Sequence, residues 1–413
     1  MNRFASAVAL APLLLFPALT NFAQPATAVE STLPKAINPD SRNRLSLIKR
    51  EDLDERRKKA YDAAVANYAG AAPAIGAEIR LHGRPINNIQ LESPLGHALM
   101  QLAILTTARA HDQPYEWSLH EMQAIAVGLD PRVIDQVRNR KPLTRVGDKE
   151  AVIIRMGREI FGSHRLSTDT YSQALSLLGE SNLVDVAALM ADYARTSATL
   201  TAFNQQLPPG WKQFLPLPFM QPDDIHPDSR SRLPLMTVPA PSLAPALYGR
   251  TMAPEGTGPA QIRQHGAGLK SLEASVGRPV IDLAILVTAR EHDMQYDWTI
   301  NELASVRDGL PPATIEVVRN RLSVARLAEK DACAIQFGRE LFSKHNVSSE
   351  TYQSAVKLFG ERDLVDLVDV MGQHAREATL LAAFDQQLPA GQKPRLPVPY
   401  FPVWPAGSSP FAL

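Results

Sequence analysis

Apolar residues recur at spacings of three and four along most of this chain. Leu99, Leu102, Ala103 and Leu105-Thr106 trace one stripe, and Ile125 and Val127 follow on the next segment. Val152, Ile153, Met156, Ile160 and Phe161 form another, and Leu175, Leu178, Leu183, Val186, Leu189, Tyr193, Leu200 and Phe203 complete the set. This is the period of α-helices that turn one face inward. Punctuation fits the same reading: Gly128 closes one helix with Pro131 just beyond, Gly179 closes another, and Ser167-Thr168-Asp169 offers an N-cap. No convincing alternating run suggests a strand. The pattern predicts an all-α unit of six or seven helices.

That unit occurs twice. Ala108-Arg109-Ala110-His111-Asp112-Gln113-Pro114-Tyr115-Glu116-Trp117 returns as Ala289-Arg290-Glu291-His292-Asp293-Met294-Gln295-Tyr296-Asp297-Trp298, an offset of 181 residues. The offset holds through Leu183-Val184-Asp185 and Leu364-Val365-Asp366, and on to Phe203 and Phe384. Upstream, Pro39-Asp40-Ser41-Arg42 matches Pro227-Asp228-Ser229-Arg230 at an offset of 188, so the second copy is seven residues shorter there. A period this long means two tandem domains, not a solenoid. We place the first at 38–206 and the second at 226–388. A Pro-rich linker at 207–259 overlaps the start of the second copy, and a Pro-rich C-terminal arm occupies 389–413. The twelve prolines between Leu207 and Pro259 exclude regular helix there. Both proline-rich stretches are read either as extended arms lying on a neighbouring surface or as spacers.

Residues 1–28 read as a signal peptide. Arg3 gives a positive start, Ala5 to Leu19 is apolar, and Ala26-Thr27-Ala28 has the small-x-small cleavage pattern. Pro12 and Pro17 break the apolar run, which argues against a membrane anchor. The expectation is a periplasmic or secreted protein with no membrane association after cleavage. Lys+Arg and Asp+Glu both number 43, which excludes a dominant basic surface for nucleic acid. Removing the leader takes away one arginine and no acid, leaving a net charge of −1. Cys333 is the one cysteine, so an internal disulfide or a Cys-x-x-Cys pair cannot form.

Candidate chemistry lies between Arg109 and His120. Pro114 suits the first turn of a helix, so one helix should end near His111 and another begin at Pro114. Glu116 and His120 then stand four residues apart on one face, where a carboxylate can orient an imidazole for proton transfer. The same spacing also serves a solvated pair or a buried brace between helices. Trp117 is read as core. His111, Asp112, Glu116 and His120 include metal-ligand types, but Pro114 interrupts the helix and no metal-binding spacing is present, so neither a metal nor another cofactor is expected.

Together these motifs resemble the carboxymuconolactone decarboxylase-like family, relatives of alkylhydroperoxidase D. The resemblance rests on Tyr115-Glu116-Trp117-x-x-His120 after Ala-Arg-x-His-Asp, with Leu81-His82-Gly83-Arg84-Pro85, Leu102-Ala103-Ile104-Leu105 and the Phe-x-x-x-Leu-Pro ending. It covers both copies and implies two helical bundles per chain assembling as a homotrimer, with a small carboxylated molecule as substrate. The peroxidase branch of this family uses Cys-x-x-Cys-x-x-x-His and a glutamate on the preceding helix. Here those positions are Gln113, Glu116, His120 and Gln101 in the first copy, and Met294, Asp297, Asn301 and Asp282 in the second. Neither copy has a thiolate or a resolving thiol. Cys333 aligns with Val152 on an apolar stripe and is read as inert.

The resemblance therefore implies cysteine-free acid/base chemistry of a decarboxylase or lactone-hydrolase type. His120 would move the proton and Glu116 orient it, with Arg109, His111 and Tyr115 binding substrate. Arg109 serves equally as an ion-pair partner of Asp112 or Glu116. The second copy keeps Arg290, His292, Tyr296 and Asp297 but has Asn301 where the base should be, so it reads as a degenerate site. The competing reading is a non-catalytic secreted binding or scaffold protein with decayed sites; a peroxidase is disfavoured.

Overall fold

The computed structural model describes residues 33–67, 75–216, 224–236 and 257–398. The expected leader lies outside them, as do the middle of the linker and the end of the C-terminal arm. The described residues contain seventeen α-helices and no strand. The chain is all-α. The first half holds α1 (Glu55–Asn67), α2 (Ile75–Leu81), α3 (Ile86–Glu92), α4 (His97–Ala110), α5 (Pro114–Ala126), α6 (Pro131–Arg138), α7 (Asp148–Gly162), α8 (Thr168–Leu178) and α9 (Glu180–Ala202). The second holds α10 (Pro259–Arg263), α11 (Leu269–Val276), α12 (Arg278–Glu291), α13 (Gln295–Arg307), α14 (Pro312–Arg319), α15 (Glu329–Ser343), α16 (Ser349–Phe359) and α17 (Glu361–Ala383). From α4 and α12 onward every helix begins and ends 181 residues from its counterpart. The excess over six or seven helices lies ahead of this repeated set.

The repeat extends to the devices that start and stop helices. Ser167 Oγ accepts from Thr170 N at 3.2 Å, and Ser348 Oγ from Thr351 N at 3.2 Å. Gly179 and Gly360 take φ of 77° and 79°, a left-handed geometry that glycine adopts without penalty. The chain turns through 117° there, between α8 and α9. Asp185 and Asp366, each ending a Leu-Val-Asp triplet, are buried and bind loop amides. Asp185 Oδ1 accepts from Arg84 N at 2.6 Å, while Asp366 Oδ2 accepts from Ala267 N at 2.8 Å and Gly268 N at 2.9 Å.

Two apolar cores form, and they do not respect the boundary between the halves. Ala378, Leu380, Leu381, Ala382, Ala383 and Phe384 from the end of α17 belong to the core of the first half. Ala198, Leu200, Ala202 and Phe203 from the end of α9, with Tyr115, belong to the core of the second. The two long helices pack against each other and exchange their last turns. Paired segments lock this exchange. Arg44 is buried and donates to Ala383 O at 3.2 Å and Leu166 O at 2.9 Å; its counterpart Arg232 donates to Ala202 O at 3.4 Å and Val347 O at 2.9 Å. The described parts of both proline-rich stretches lie on the protein, burying Leu215 in the first core and Leu396 in the second.

Two apolar positions depart from the expected stripes. Ile125 is 51% exposed and Leu175 is 38% exposed. In α5 the inward places are held by Glu116, Trp117, His120 and Gln123, which turns Ile125 outward.

Candidate functional site

The break between α4 and α5 sits where Pro114 puts it. Pro114 opens α5, and Gln113 caps it by accepting from Tyr115 N at 2.9 Å. One turn further, Glu116 and His120 face the same way, with side chains 4% and 5% exposed. His120 Nε2 stands 3.2 Å from Glu116 Oε2, and His120 Nδ1 donates to Gln101 Oε1 at 2.8 Å. Gln101 comes from α4 and spends its amide nitrogen on Gln123 Oε1 at 3.2 Å, so its oxygen faces the imidazole. The ring lies edge-on to Tyr193 of α9, centroids 4.9 Å apart, and Gln90 Nε2 donates to the Tyr193 hydroxyl at 2.7 Å.

This network orients the imidazole. With the Nδ1 hydrogen given to Gln101, a neutral imidazole would present its Nε2 lone pair to a carboxylate oxygen. Glu116 Oε2 is buried and has no hydrogen-bond donor of its own, so an imidazole N–H at this place would meet a carboxylate. A cation from the second half lies within electrostatic reach: Arg263, at the end of α10, is held below the ordinary arginine pKa by burial and by Arg195, against the pull of Asp369, Glu116 and Asp192. The equivalent Arg80 of the first half faces Glu377 of the second. Asp192, half-buried beside these arginines and paired with Arg376, is pushed up to about 6 by its partial burial.

Arg109, His111 and Tyr115 are not gathered around Glu116 and His120. Arg109 donates from Nε to Arg138 O at 2.6 Å and pairs with Asp112 through Nη1, the ion-pair alternative for this residue. His111 Nδ1 donates to Thr107 O at 3.0 Å, and its ring packs on Phe161 at 4.7 Å and near His345 at 5.8 Å. Burial and the neighbouring His345 push it down to about 4. Tyr115 is 1% exposed in the second core, stacks on Trp211 and bonds Thr257 Oγ1 at 2.9 Å. Its position just after the helix start aims it away from the face that carries Glu116.

In the second half, Arg290 and His292 repeat these fates. Arg290 is fully buried against Asp293 at 3.0 Å and donates to Pro397 O at 3.0 Å. His292 donates to Thr288 O at 2.8 Å and is pushed down to about 3 by burial and by His164. Asp297 and Asn301 do stand together, Asn301 Nδ2 donating to Asp297 Oδ1 at 2.6 Å. Asn301 stands where the first half has His120, but an imidazole reaches this site from elsewhere, because His374 of α17 donates from Nδ1 to Asp297 Oδ2 at 2.9 Å. Burial opposes the charge on His374, but the Asp297 carboxylate outweighs it and raises the pKa. His374 occupies the place of Tyr193, so the imidazole has changed helices. Tyr296 adjoins this group, its hydroxyl pushed up to about 12 by burial and by Glu377. Glu377 is raised by burial and by Asp297, and accepts from Gly76 N at 2.7 Å.

Trp117 is core and donates to Glu121 at 2.5 Å, as Trp298 does to Glu302 at 2.6 Å. Cys333 is buried, and burial with the nearby Glu329 pushes its thiol up to about 11. Among the described residues, no three His, Cys, Asp or Glu side chains are arranged to hold a metal ion. No single helix there is long and apolar enough to cross a membrane. Alignment already picks out Gln101, whereas Arg263 and His374 lie far along the chain from the residues they approach, where neighbouring positions in sequence give no signal. No protein-family model, curated protein or solved structure matches the chain.

Proposed function

We propose that this is an exported protein of the carboxymuconolactone decarboxylase-like kind, whose first half performs cysteine-independent acid/base chemistry on a small carboxylated substrate. The observation that carries this reading is the buried contact of His120 Nε2 with Glu116 Oε2 at 3.2 Å, with Gln101 orienting the imidazole. In a decarboxylation or lactone opening, a protonated His120 delivers its Nε2 proton to the developing carbanion or leaving oxygen, and Glu116 stabilises the imidazolium before transfer. Arg263 is better suited than Arg109 to draw in a substrate carboxylate, because Arg109 is committed to Asp112 and a backbone carbonyl. The high thiol pKa of Cys333 speaks against peroxidase chemistry.

The second reading, a non-catalytic binding or scaffold protein, is favoured by the burial of the pair, which suits a brace between α4 and α5. His120→Asn separates the two. Turnover on a panel of carboxylated lactones and β-keto acids, followed as ring opening or CO2 release, should fall by about 10²–10⁴-fold with the thermal transition unchanged. Full activity in the variant refutes the catalytic role, and a loss that tracks unfolding establishes the brace. A homotrimer is part of the proposal: Ile125 and Val306, equivalent positions, are each 51% exposed, as an assembly face would leave them in one chain. Light scattering of the mature protein as a monomer at micromolar concentration would remove this part.

A further inference from the structure

Away from the buried pair, the end of α4 and the C-terminal part of α7 border a cleft of about 400 Å³. Its wall is apolar, with Phe161 at one side, and its rim carries Arg109, Arg140 and Arg158. These three guanidinium groups have one carboxylate among them. Asp112 pairs with Arg109 and stands 3.1 Å from Arg140, while Arg158 donates to two backbone carbonyls, Gln136 O at 3.3 Å and Lys141 O at 2.8 Å. The floor is open at Ala110 and Gly162, and a Cβ added at Gly162 would meet nothing within 4 Å.

The second half repeats every one of these cations. Arg290, Arg321 and Arg339 stand 181 residues on, and Arg339 bonds the matching carbonyls, Leu322 O at 2.9 Å and Val317 O at 3.1 Å. There, however, Glu291 replaces Ala110 and Ser343 replaces Gly162. The Glu291 carboxylate is buried, accepts from the Ser343 hydroxyl and lies 3.3 Å from Arg321. One half thus carries a second carboxylate of its own at the place the other leaves open beneath the same arginines.

We propose that the cleft of the first half binds a small organic carboxylate with an apolar body, its carboxylate taking the position that the Glu291 carboxylate holds in the second half. Arg140 is the chief partner, matching Arg321, and Phe161 with the apolar wall receives the body of the ligand. The volume suits a molecule of one ring or a short chain, near the lower end of small-molecule sites. Neither Glu116 nor His120 borders this cleft. The assignment therefore goes beyond the acid/base reading, and either can fail without the other.

Benzoate and its neutral isostere benzamide, titrated into the full chain by calorimetry, provide the test. Benzoate should bind once per chain, and at least about tenfold more tightly than benzamide. Ala110→Glu installs the internal carboxylate and should abolish benzoate binding. Arg140→Gln, at a side chain 55% exposed and so safe for folding, should weaken it by about tenfold or more. Glu291→Ala should open the second cleft and raise the stoichiometry to two. Equal affinity for benzamide, wild-type benzoate affinity in Arg140→Gln or in folded Ala110→Glu, or an unchanged stoichiometry in Glu291→Ala overturns the assignment.

Discussion

The two halves agree in every helix limit from α4 and α12 onward, yet they disagree at the polar positions that matter most. His120 aligns with Asn301, Tyr193 with His374, and Ala110 with Glu291. The residues that build the frame have no such freedom. Trp117 and Trp298, Asp185 and Asp366, and Gly179 and Gly360 do the same work in each half because each closes a packing or hydrogen-bonding need that only that residue type meets there. Positions that merely line an interior polar space have changed in pairs, keeping a carboxylate beside an imidazole while moving the imidazole to another helix. Frame and chemistry are thus separable in this protein.

The strongest way to break this comparison is to separate the halves. Residues 33–216 alone lack the α17 segment from Ala378 to Phe384 that completes their core. Each large buried side chain lost removes about 2–5 kcal/mol, against a total stability of about 5–15 kcal/mol. The fragment should show no cooperative melt as a monomer by circular dichroism, and mixing it with residues 224–398 should restore one. A fragment that melts cooperatively as a monomer would mean that the exchange is dispensable.

A smaller and symmetric effect is expected at the locks. Arg44→Ala and Arg232→Ala each leave two buried carbonyls without their donor. Each should lose about 2–4 kcal/mol in urea unfolding, equal to within about 1 kcal/mol. Unequal losses would show that one junction dominates.

Acid should expose the next difference. His111 and His292 titrate near 4 and 3 in the folded chain against 6.5 for the free side chain. Because their folded values are depressed, the unfolded chain binds the extra protons. Their stabilising contribution is complete above about pH 6.5 and is lost as pH falls towards those values. Each contributes at most about 2 kcal/mol of the change between pH 7 and 5. Asp192 has the opposite sign: its raised value favours the folded state at low pH, and that contribution is lost as pH rises towards about 6. Comparing wild type with His111→Gln/His292→Gln at both pH values isolates the histidines, and the double variant should have the flatter profile. An unchanged profile would place both imidazoles in contact with water.

The least effect is expected at Cys333. Cys333→Ala should leave turnover unchanged, and a thiol reagent should label the native chain far more slowly than the unfolded one. Rapid labelling would break the equivalence of Cys333 with the core residue Val152.

Much of the frame is legible in the sequence because helical period, proline and glycine act locally. The break at His111 to Pro114 and the Glu116–His120 pairing follow from spacing alone. Arg109, His111 and Tyr115 read as one constellation because they are adjacent in the chain, but successive residues of a helix start point to different faces and, here, to different cores. Arg263 and His374 are invisible for the converse reason: they are distant in sequence from the residues they approach, Arg263 coming from the other half and His374 from a later helix of the same half. The exposure of Ile125 escapes a count of apolar positions, since the inward places of α5 are held largely by polar side chains that satisfy one another.

The exchanged ends of α9 and α17 have one more consequence, for assembly at low concentration. Two separate chains sharing such a junction would have to find each other by diffusion, and dilution would part them. Covalent joining through residues 207–259 turns that encounter into an intramolecular one, with an effective concentration on the order of millimolar. The pairing then no longer depends on how much protein is present. It also ties one unlike half to the other in every molecule, so that a first half with His120 and an open arginine cleft always meets a second half with His374 and a filled one.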